Sequence, residues 1–384
     1  MKVLIASDCY KYQTSGAANV VITLADELRR MGHSVKVLAL SNTQHSFKDG
    51  DDYYIGSVPG LVYPDVRFSL VRHDPLLKEL KEWKPDIIHM HTEFAAARMA
   101  RTIAEKDGTP FVMTCHTDYA KFLFGRFCNI LPVRFFARQI GRFLYRGAKV
   151  VTSPSDKALS FPHLSTQRDH MLIIPNGIRL EQYQKKDTPK QRRELFKQLG
   201  FKDNSHTIVI VSRLSREKNI HEIIEYFPSV LERLSDAQLL IVGDGPEKEN
   251  LETYVSKLGV SDSVRFTGRI PPEEVYLYYN LGDVFVSAST FEVHSLTYLE
   301  AMAQGLPLIC RNDPCLHGVL EDKDNGFAYD TKEEFVDDVV SLLTDEDLHR
   351  KMSSRALEKA GDFSAEHCAE QMLELYQKVL NNTL

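Results

Sequence analysis

Short apolar runs rich in β-branched residues alternate with stretches of helical period along most of the chain. In the first half, Lys2–Ser7, Ser34–Leu40, Asp86–His91, Pro110–His116 and Lys149–Ser153 read as strands, with helices at Ala17–Met31, Leu76–Trp83 and Ala95–Lys106. Strands of this kind alternating with helices predict a parallel sheet covered on both faces. The alternation stops at a polar, charged stretch near Arg179–Lys190. It resumes with Thr207–Ser212, Gln238–Gly243, Val264–Thr267, Asp283–Ser287 and Leu306–Cys310. From Thr331 to Leu384 the period is helical, in segments such as Glu333–Leu343 and Ala365–Leu380, with no strand among them. The expectation is an α/β chain of two Rossmann-like domains, 1–175 and 201–363, with a linker over 176–200. A terminal helix over 364–384 could cross back to brace the first domain.

Composition agrees with two domains, because 384 residues are too many for one comfortable core. A net charge of -6 is mild for this size and argues against a nucleic-acid partner held by bulk electrostatics. Cys9, Cys115, Cys128, Cys310, Cys315 and Cys368 are scattered, with no C-x-x-C pair or zinc-ligand spacing, so a reduced cytosol and no metal are expected. Val3–Ala6 is far shorter than a signal core, and no run approaches the roughly 18 apolar residues of a membrane span. A membrane would be met only from its surface.

In open parallel sheets, ligands sit beyond the carboxyl ends of the strands, so the residues that follow each strand are the candidates. Arg213 and Lys218 follow the strand at 207–212 and could neutralise a diphosphate; a solvated basic loop would look the same. Gly243-Asp-Gly-Pro246 and Phe266-Thr-Gly268-Arg269 are glycine turns where backbone can approach a ligand, or plain βα turns. The sharpest signal is Glu292-Val-His-Ser-Leu-Thr-Tyr-Leu-Glu300. Its two carboxylates suit a sugar and a ribose, and the amides of Ser295, Leu296 and Thr297 open a helix towards phosphate. At successive strand ends, the whole series is poorly explained by chance.

The first half offers Gly16, between the first strand and first helix, where a phosphate could approach or the chain simply make an ordinary βα turn. The spacing lacks G-x-G-x-x-G, so dinucleotide binding is not expected. His116 ends a strand and is placed at the crevice. His89 and His91 near another strand end suit a core or hydrogen-bonding role better than metal ligation. Asp49-Gly-Asp51 reads as a solvated loop with no strand to deliver it. H-E-x-x-H, G-x-S-x-G and P-loop patterns are missing, against protease, hydrolase and kinase readings.

Between Tyr119 and Ser155 the chain carries Lys121, Arg126, Arg134, Arg138, Arg142, Arg146 and Lys149 and no acidic residue. Among them lie Phe122, Leu123, Phe124, Phe127, Phe135, Phe136, Phe143 and Leu144. Arginines every four residues line one helix face. Such a helix suits an anionic membrane surface, each cation contributing about 1 kcal/mol. The alternative is a helix whose apolar side packs on the sheet while its arginines are merely solvated.

With these residues assembled, the chain resembles the retaining glycosyltransferases of family 4, over nearly its whole length. The supporting stretches are Thr14-Ser-Gly-Ala, Pro85-Asp-Ile-Ile-His89, Pro175-Asn-Gly-Ile178, Arg213 with Glu217-Lys-Asn219, Gly243-Asp-Gly-Pro246, Phe266-Thr-Gly268, the Glu292/Glu300 pair and Asn325-Gly326. Within that family, His91-Thr-Glu-Phe94 and His116-Thr-Asp-Tyr119 look like the bacterial enzymes that glucosylate diacylglycerol. The resemblance implies the GT-B fold, two Rossmann-like domains facing each other across a cleft. It implies a UDP-sugar donor, UDP-glucose or a relative, and metal-independent transfer with retention to a lipid hydroxyl. The enzyme would be peripheral on the cytosolic face of the membrane. Arg213 and Lys218 would hold the diphosphate, Glu292 the transferred sugar, Glu300 the ribose and Gly16 a phosphate, with His116 beside the sugar and the acceptor hydroxyl. A soluble acceptor would use the same donor residues, and a non-catalytic sugar-nucleotide sensor is the remoter alternative. One departure is Ser295, preceded by His294, where the family usually has glycine.

Overall fold

Val3, Leu4, Ile5 and Ala6 are all closed to solvent in the first strand, which is why that run shows no polar alternation. The computed structural model describes residues 1–12, 15–60, 67–118, 121, 130–184, 188–201 and 205–384. They form two α/β units, Met1–Ile178 with Ala365–Leu384, and Arg179–Ser364.

In the first unit, β1 (Lys2–Ser7), β2 (Ser34–Leu40), β3 (Phe47–Asp49), β4 (Asp52–Ile55), β7 (Ile87–Met90), β8 (Phe111–Thr114), β9 (Val150–Ser153) and β10 (Met171–Ile173) build one sheet. Its order is β10-β9-β8-β7-β1-β2-β4-β3. β5 (Val58–Pro59) and β6 (Arg67–Phe68) pair separately. The chain leaves β1 for β2 on one side and later places β7 on the other. The strand order therefore reverses between β1 and β7, the place where such sheets bind ligands.

Helices α1 (Gly16–Arg30), α2 (Pro75–Trp83), α3 (Ala95–Asp107) and α4 (Leu131–Leu144) connect these strands. The terminal helix, Ala365–Asn381, belongs to the same unit. Its Met372, Leu375, Tyr376 and Val379 share a core with Val21, Leu24 and Leu28 of α1, and Arg30 pairs with Glu366 at 2.8 Å. Large apolar side chains contribute roughly 1.5–3 kcal/mol each on full burial.

The second unit holds β11 (Thr207–Val211), β12 (Gln238–Val242), β13 (Val264–Phe266), β14 (Val284–Ser287), β15 (Leu308–Arg311) and β16 (Gly326–Tyr329), ordered β13-β12-β11-β14-β15-β16. All its pairings are parallel, and the order reverses between β11 and β14. Its helices are α5 (Leu180–Tyr183), α6 (Pro189–Leu199), α7 (Ile220–Arg233), α8 (Lys248–Lys257), α9 (Val275–Tyr279), α10 (Leu296–Ala303), α11 (Lys332–Thr344) and α12 (Glu346–Ala360).

The structure departs from the sequence reading at several places. The stretch expected as a linker contains α5 and α6. Helix α6 opens on a capping box, in which Thr188 Oγ1 accepts from Gln191 N at 3.2 Å, and ends at Gly200 with φ 68°. Its few apolar residues hide the helical period, but those end signals are in the sequence. Asp49-Gly-Asp51 is not a loop without strands: it is the turn of the antiparallel β3–β4 hairpin, with Gly50 at φ 58°. All three residues are exposed.

Candidate functional site

In the second unit, the loop leaving β11 carries an exposed Arg213 and then a turn of 3-10 helix, Arg216–Lys218. Asn219 follows in the left-handed region at φ 51°, and its Nδ2 donates to Glu222 Oε2 at 2.8 Å. This aims Lys218 at the loop after the neighbouring strand β14, where its Nζ donates to Glu292 Oε1. Ser289 Oγ donates to the same oxygen at 2.9 Å. A half-buried cation and carboxylate therefore meet where the strand order reverses. Ser289 was not picked out in the sequence, although it lies three residues before Glu292 on the strand exit.

The same loop runs into α10. Ser295 is its N-cap residue, makes no side-chain bond to the helix N–H groups, and has Oγ 3.0 Å from Thr297 Oγ1. Leu296 and Thr297 lie in the first turn of α10, and an anion placed there would be favoured by the positive end of the helix. One turn on, Glu300 is buried and accepts from Tyr183 Oη at 2.9 Å and Tyr279 Oη at 2.8 Å. Burial pushes its carboxyl above the ordinary range, against the lowering effect of the two tyrosines. A ribose reaching Glu300 would share an oxygen with a tyrosine or displace it. Tyr183 stands 117 residues from Glu300, and no sequence spacing links them.

Two of the glycines in these turns are required by the packing of the loops themselves. A Cβ on Gly243, at φ 138°, would lie 1.9 Å from the Ser212 carbonyl oxygen, and one on Gly245 would lie 2.3 Å from that of Leu214. Leu214 N donates to Asp244 O at 2.9 Å and Gly243 N to Gly268 O at 3.1 Å. Gly243 and Gly245 thus let one loop pack against the backbone that carries Arg213. Gly268 turns with φ 73°, its Cβ position 3.8 Å from Lys248 Nζ, and Arg269 beside it is exposed.

In the first unit, Gly16 starts α1, whose cap is Ser15 Oγ accepting from Ala18 N at 3.1 Å. A Cβ at Gly16 would meet nothing within 4 Å, so the fold itself does not demand glycine there. His116, just past β8, has Nε2 2.9 Å from His91 Nδ1, the rings nearly parallel at 12°. His89 is buried between Tyr376 Oη at 2.6 Å and Thr114 Oγ1 at 2.7 Å, a hydrogen-bonding role. Burial pushes the His116 imidazole down to about 4, so it is neutral at pH 7.

Helix α4 turns most of its large apolar side chains to solvent. Only Ala137 and Gly141 are buried on it, and a Cβ on Gly141 would lie 1.7 Å from the His163 carbonyl oxygen. These small residues let the helix lie flat on Pro162–Leu164. Its large apolar side chains point away: Phe135, Phe136 and Phe143 expose 61%, 63% and 76% of their surface. Arg134, Arg138, Arg142 and Arg146 are exposed along a neighbouring flank. Phe135, Phe136 and Phe143 are therefore not packed on the sheet. Lys121 is half-buried, with its backbone N–H donating to Asp118 Oδ1 at 3.1 Å. Thr14, Tyr119, Phe122, Leu123, Phe124, Arg126 and Phe127 lie outside the described residues. Among the described residues, no helix is long and apolar enough to cross a membrane, and no group of three or more His, Cys, Asp or Glu could hold a metal ion.

Comparison with known proteins accounts for both units. Residues 191–359 match the model for glycosyl transferases group 1, and residues 14–182 that for glycosyltransferase family 4. The alpha-monoglucosyldiacylglycerol synthase of Streptococcus pneumoniae is 30% identical over 379 residues, covering 98% of this chain and 85% of that protein. The synthase of the same name from Acholeplasma laidlawii is 28% identical over 393 residues, covering 99% and 98%. Among solved structures, Anabaena HepE in complex with UDP and glucose superposes with a TM-score of 0.77 at 20% identity, covering 98% of this chain and 99% of that one. Sucrose-phosphate synthase from Thermosynechococcus elongatus gives 0.75 at 18%, covering 99% of both. The fold and the relatives agree: the chain is a glycosyltransferase of GT-B fold and belongs to family 4.

Proposed function

We propose that this enzyme transfers a hexose, glucose first among them, from a UDP-sugar to a lipid hydroxyl such as that of diacylglycerol. It acts as a peripheral protein on the cytosolic face of an anionic membrane. The observation that carries the acceptor class is α4, a helix held by Ala137 and Gly141 that turns phenylalanines and arginines outward together. Exposed aromatics that insert among lipid chains, flanked by cations that meet anionic headgroups, are what a surface-bound enzyme needs. Two relatives bear the name of a synthase whose product is a glucosylated diacylglycerol, which supports the same reading.

The chemistry follows from the residues at the strand ends. Arg213, Lys218 and the amides of Ser295, Leu296 and Thr297 neutralise the diphosphate as it leaves. Gly243, Gly268 and Arg269 shape the nucleotide side. Glu292 meets the sugar hydroxyls and Glu300 the ribose. In the first unit, Gly16 leaves room for a phosphate and His116 meets the reacting sugar and the incoming hydroxyl. The bond from the anomeric carbon to the phosphate oxygen breaks, that carbon joins the lipid oxygen on the same face, and the departing phosphate takes the hydroxyl proton. No metal is required, because the cations and the helix terminus take the charge. Transfer of labelled glucose from UDP-glucose into extracted lipid tests this: Lys218→Ala and Glu292→Ala should each abolish it. Full activity in both variants would remove the mechanism.

A further inference from the structure

His116 makes one hydrogen bond to another histidine among the described residues, to His91. His91 is 2% exposed, and the His89 ring lies 4.0 Å from it, centroid to centroid. Its Nδ1 is the atom 2.9 Å from His116 Nε2. Its Nε2 is enclosed by protein and has no hydrogen-bond partner among the described residues. Burial keeps all three imidazoles neutral: His89 is pushed down to about 3, His116 to about 4, and His91 lies well below its ordinary value.

A neutral imidazole has one N–H and one lone pair, so only two arrangements make the 2.9 Å bond. If His116 Nε2–H donates, His91 Nδ1 is the acceptor, and the one proton of His91 sits on Nε2 as a buried N–H with no acceptor. If His91 Nδ1–H donates, its Nε2 is a bare lone pair, and the proton of His116 is on Nδ1. A buried N–H left unmet is the rarer and costlier of the two defects.

We propose that His91 is a positioning residue that fixes His116 in its Nδ1–H form, so that His116 offers the reactants a neutral hydrogen-bond donor and not a base. This rests on the reading of His116 as the group beside the transferred sugar and the incoming hydroxyl. His116 then keeps its proton throughout. The hydroxyl proton passes to the phosphate oxygen released when the bond to the anomeric carbon breaks, and the new bond forms from that carbon to the acceptor oxygen.

The test is nitrogen-15 NMR of the full chain with labelled histidines, His116 being assigned by its disappearance in His116→Gln. The expected spectrum at pH 7 shows His116 protonated at Nδ1 and bare at Nε2. Protonation at Nε2, the form free imidazole side chains prefer, would overturn the proposal. His91→Asn places an amide donor near the Nδ1 position and should keep the Nδ1–H form and most of the turnover. His91→Leu should shift His116 towards Nε2–H and lower turnover by about tenfold or more; an unchanged tautomer in that variant would also overturn the proposal. The spectrum is read without substrate, so failure of the functional reading and failure of this inference are separate results.

Discussion

Lys218 reaches across 74 residues of sequence to donate a hydrogen bond to Glu292, at the exits of two adjacent strands, β11 and β14. The pair joins a group suited to phosphate with one suited to sugar. If the proposed roles hold, a phosphate would share the Lys218 ammonium with Glu292 or displace it. A charge-assisted hydrogen bond contributes about 1.5–3 kcal/mol, so Lys218→Ala should weaken UDP binding by roughly tenfold to a hundredfold. Glu292→Gln should leave UDP binding equal or tighter, since it frees the lysine, yet lower transfer by about a hundredfold. Calorimetric titration with UDP beside a transfer assay separates the two. Equal loss of UDP binding in both variants would contradict the division of roles.

Gly243 and Gly16 should behave in opposite ways. Alanine at Gly243 drives a methyl to 1.9 Å from the Ser212 carbonyl oxygen at φ 138° and should lower the thermal midpoint clearly, at a cost of about 1–3 kcal/mol. Alanine at Gly16 meets nothing within 4 Å and should leave the midpoint unchanged or slightly raised. Any loss in Gly16→Ala should then fall on the donor affinity. A thermal melt of each variant with and without UDP reads both effects.

These two glycines also show what the sequence could tell. Both followed strands and both read as places for a ligand, because a glycine turn looks alike whether it admits a phosphate or a neighbouring backbone. The packed loops show only that Gly243 has a backbone against it and that Gly16 has none. The apolar strand runs were legible because full burial on both faces leaves no polar alternation to confuse. The edge strands β10 and β16 were missed, because their partly exposed positions break the apolar run that marks a buried strand. Tyr183 carried no sequence signal at all, since its relation to Glu300 exists only after β11 to β14 have assembled.

Glu300 makes stability depend on pH. Burial raises its carboxyl above the ordinary 4.5, so the folded chain holds that proton more tightly than the unfolded chain. The contribution is fully present below the unfolded value and is lost as pH rises through the raised folded value. Replacing Glu300 with glutamine removes that loss. The urea midpoint of the wild type should therefore fall relative to Glu300→Gln as pH rises out of the carboxylate range. A constant difference across that interval would contradict the assignment.

The outward face of α4 should bind membranes without supporting the fold. Phe135, Phe136 and Phe143 changed together to serine should abolish sedimentation with anionic vesicles while the thermal midpoint stays nearly constant. Arg134, Arg138 and Arg142 changed to glutamine should weaken vesicle binding by about a hundredfold, at about 1 kcal/mol each, and leave the remainder less sensitive to salt. Gly141→Leu should instead lower stability, because its side chain would meet the His163 carbonyl.

The most direct test of the whole account is UDP release from a panel of UDP-sugars, with diacylglycerol in anionic vesicles and soluble sugars offered as rival acceptors. The account predicts turnover with UDP-glucose or a close relative only when the vesicles are present. Turnover with a soluble sugar and none with the vesicles would contradict the lipid acceptor and the membrane role of α4, while leaving a glycosyltransferase.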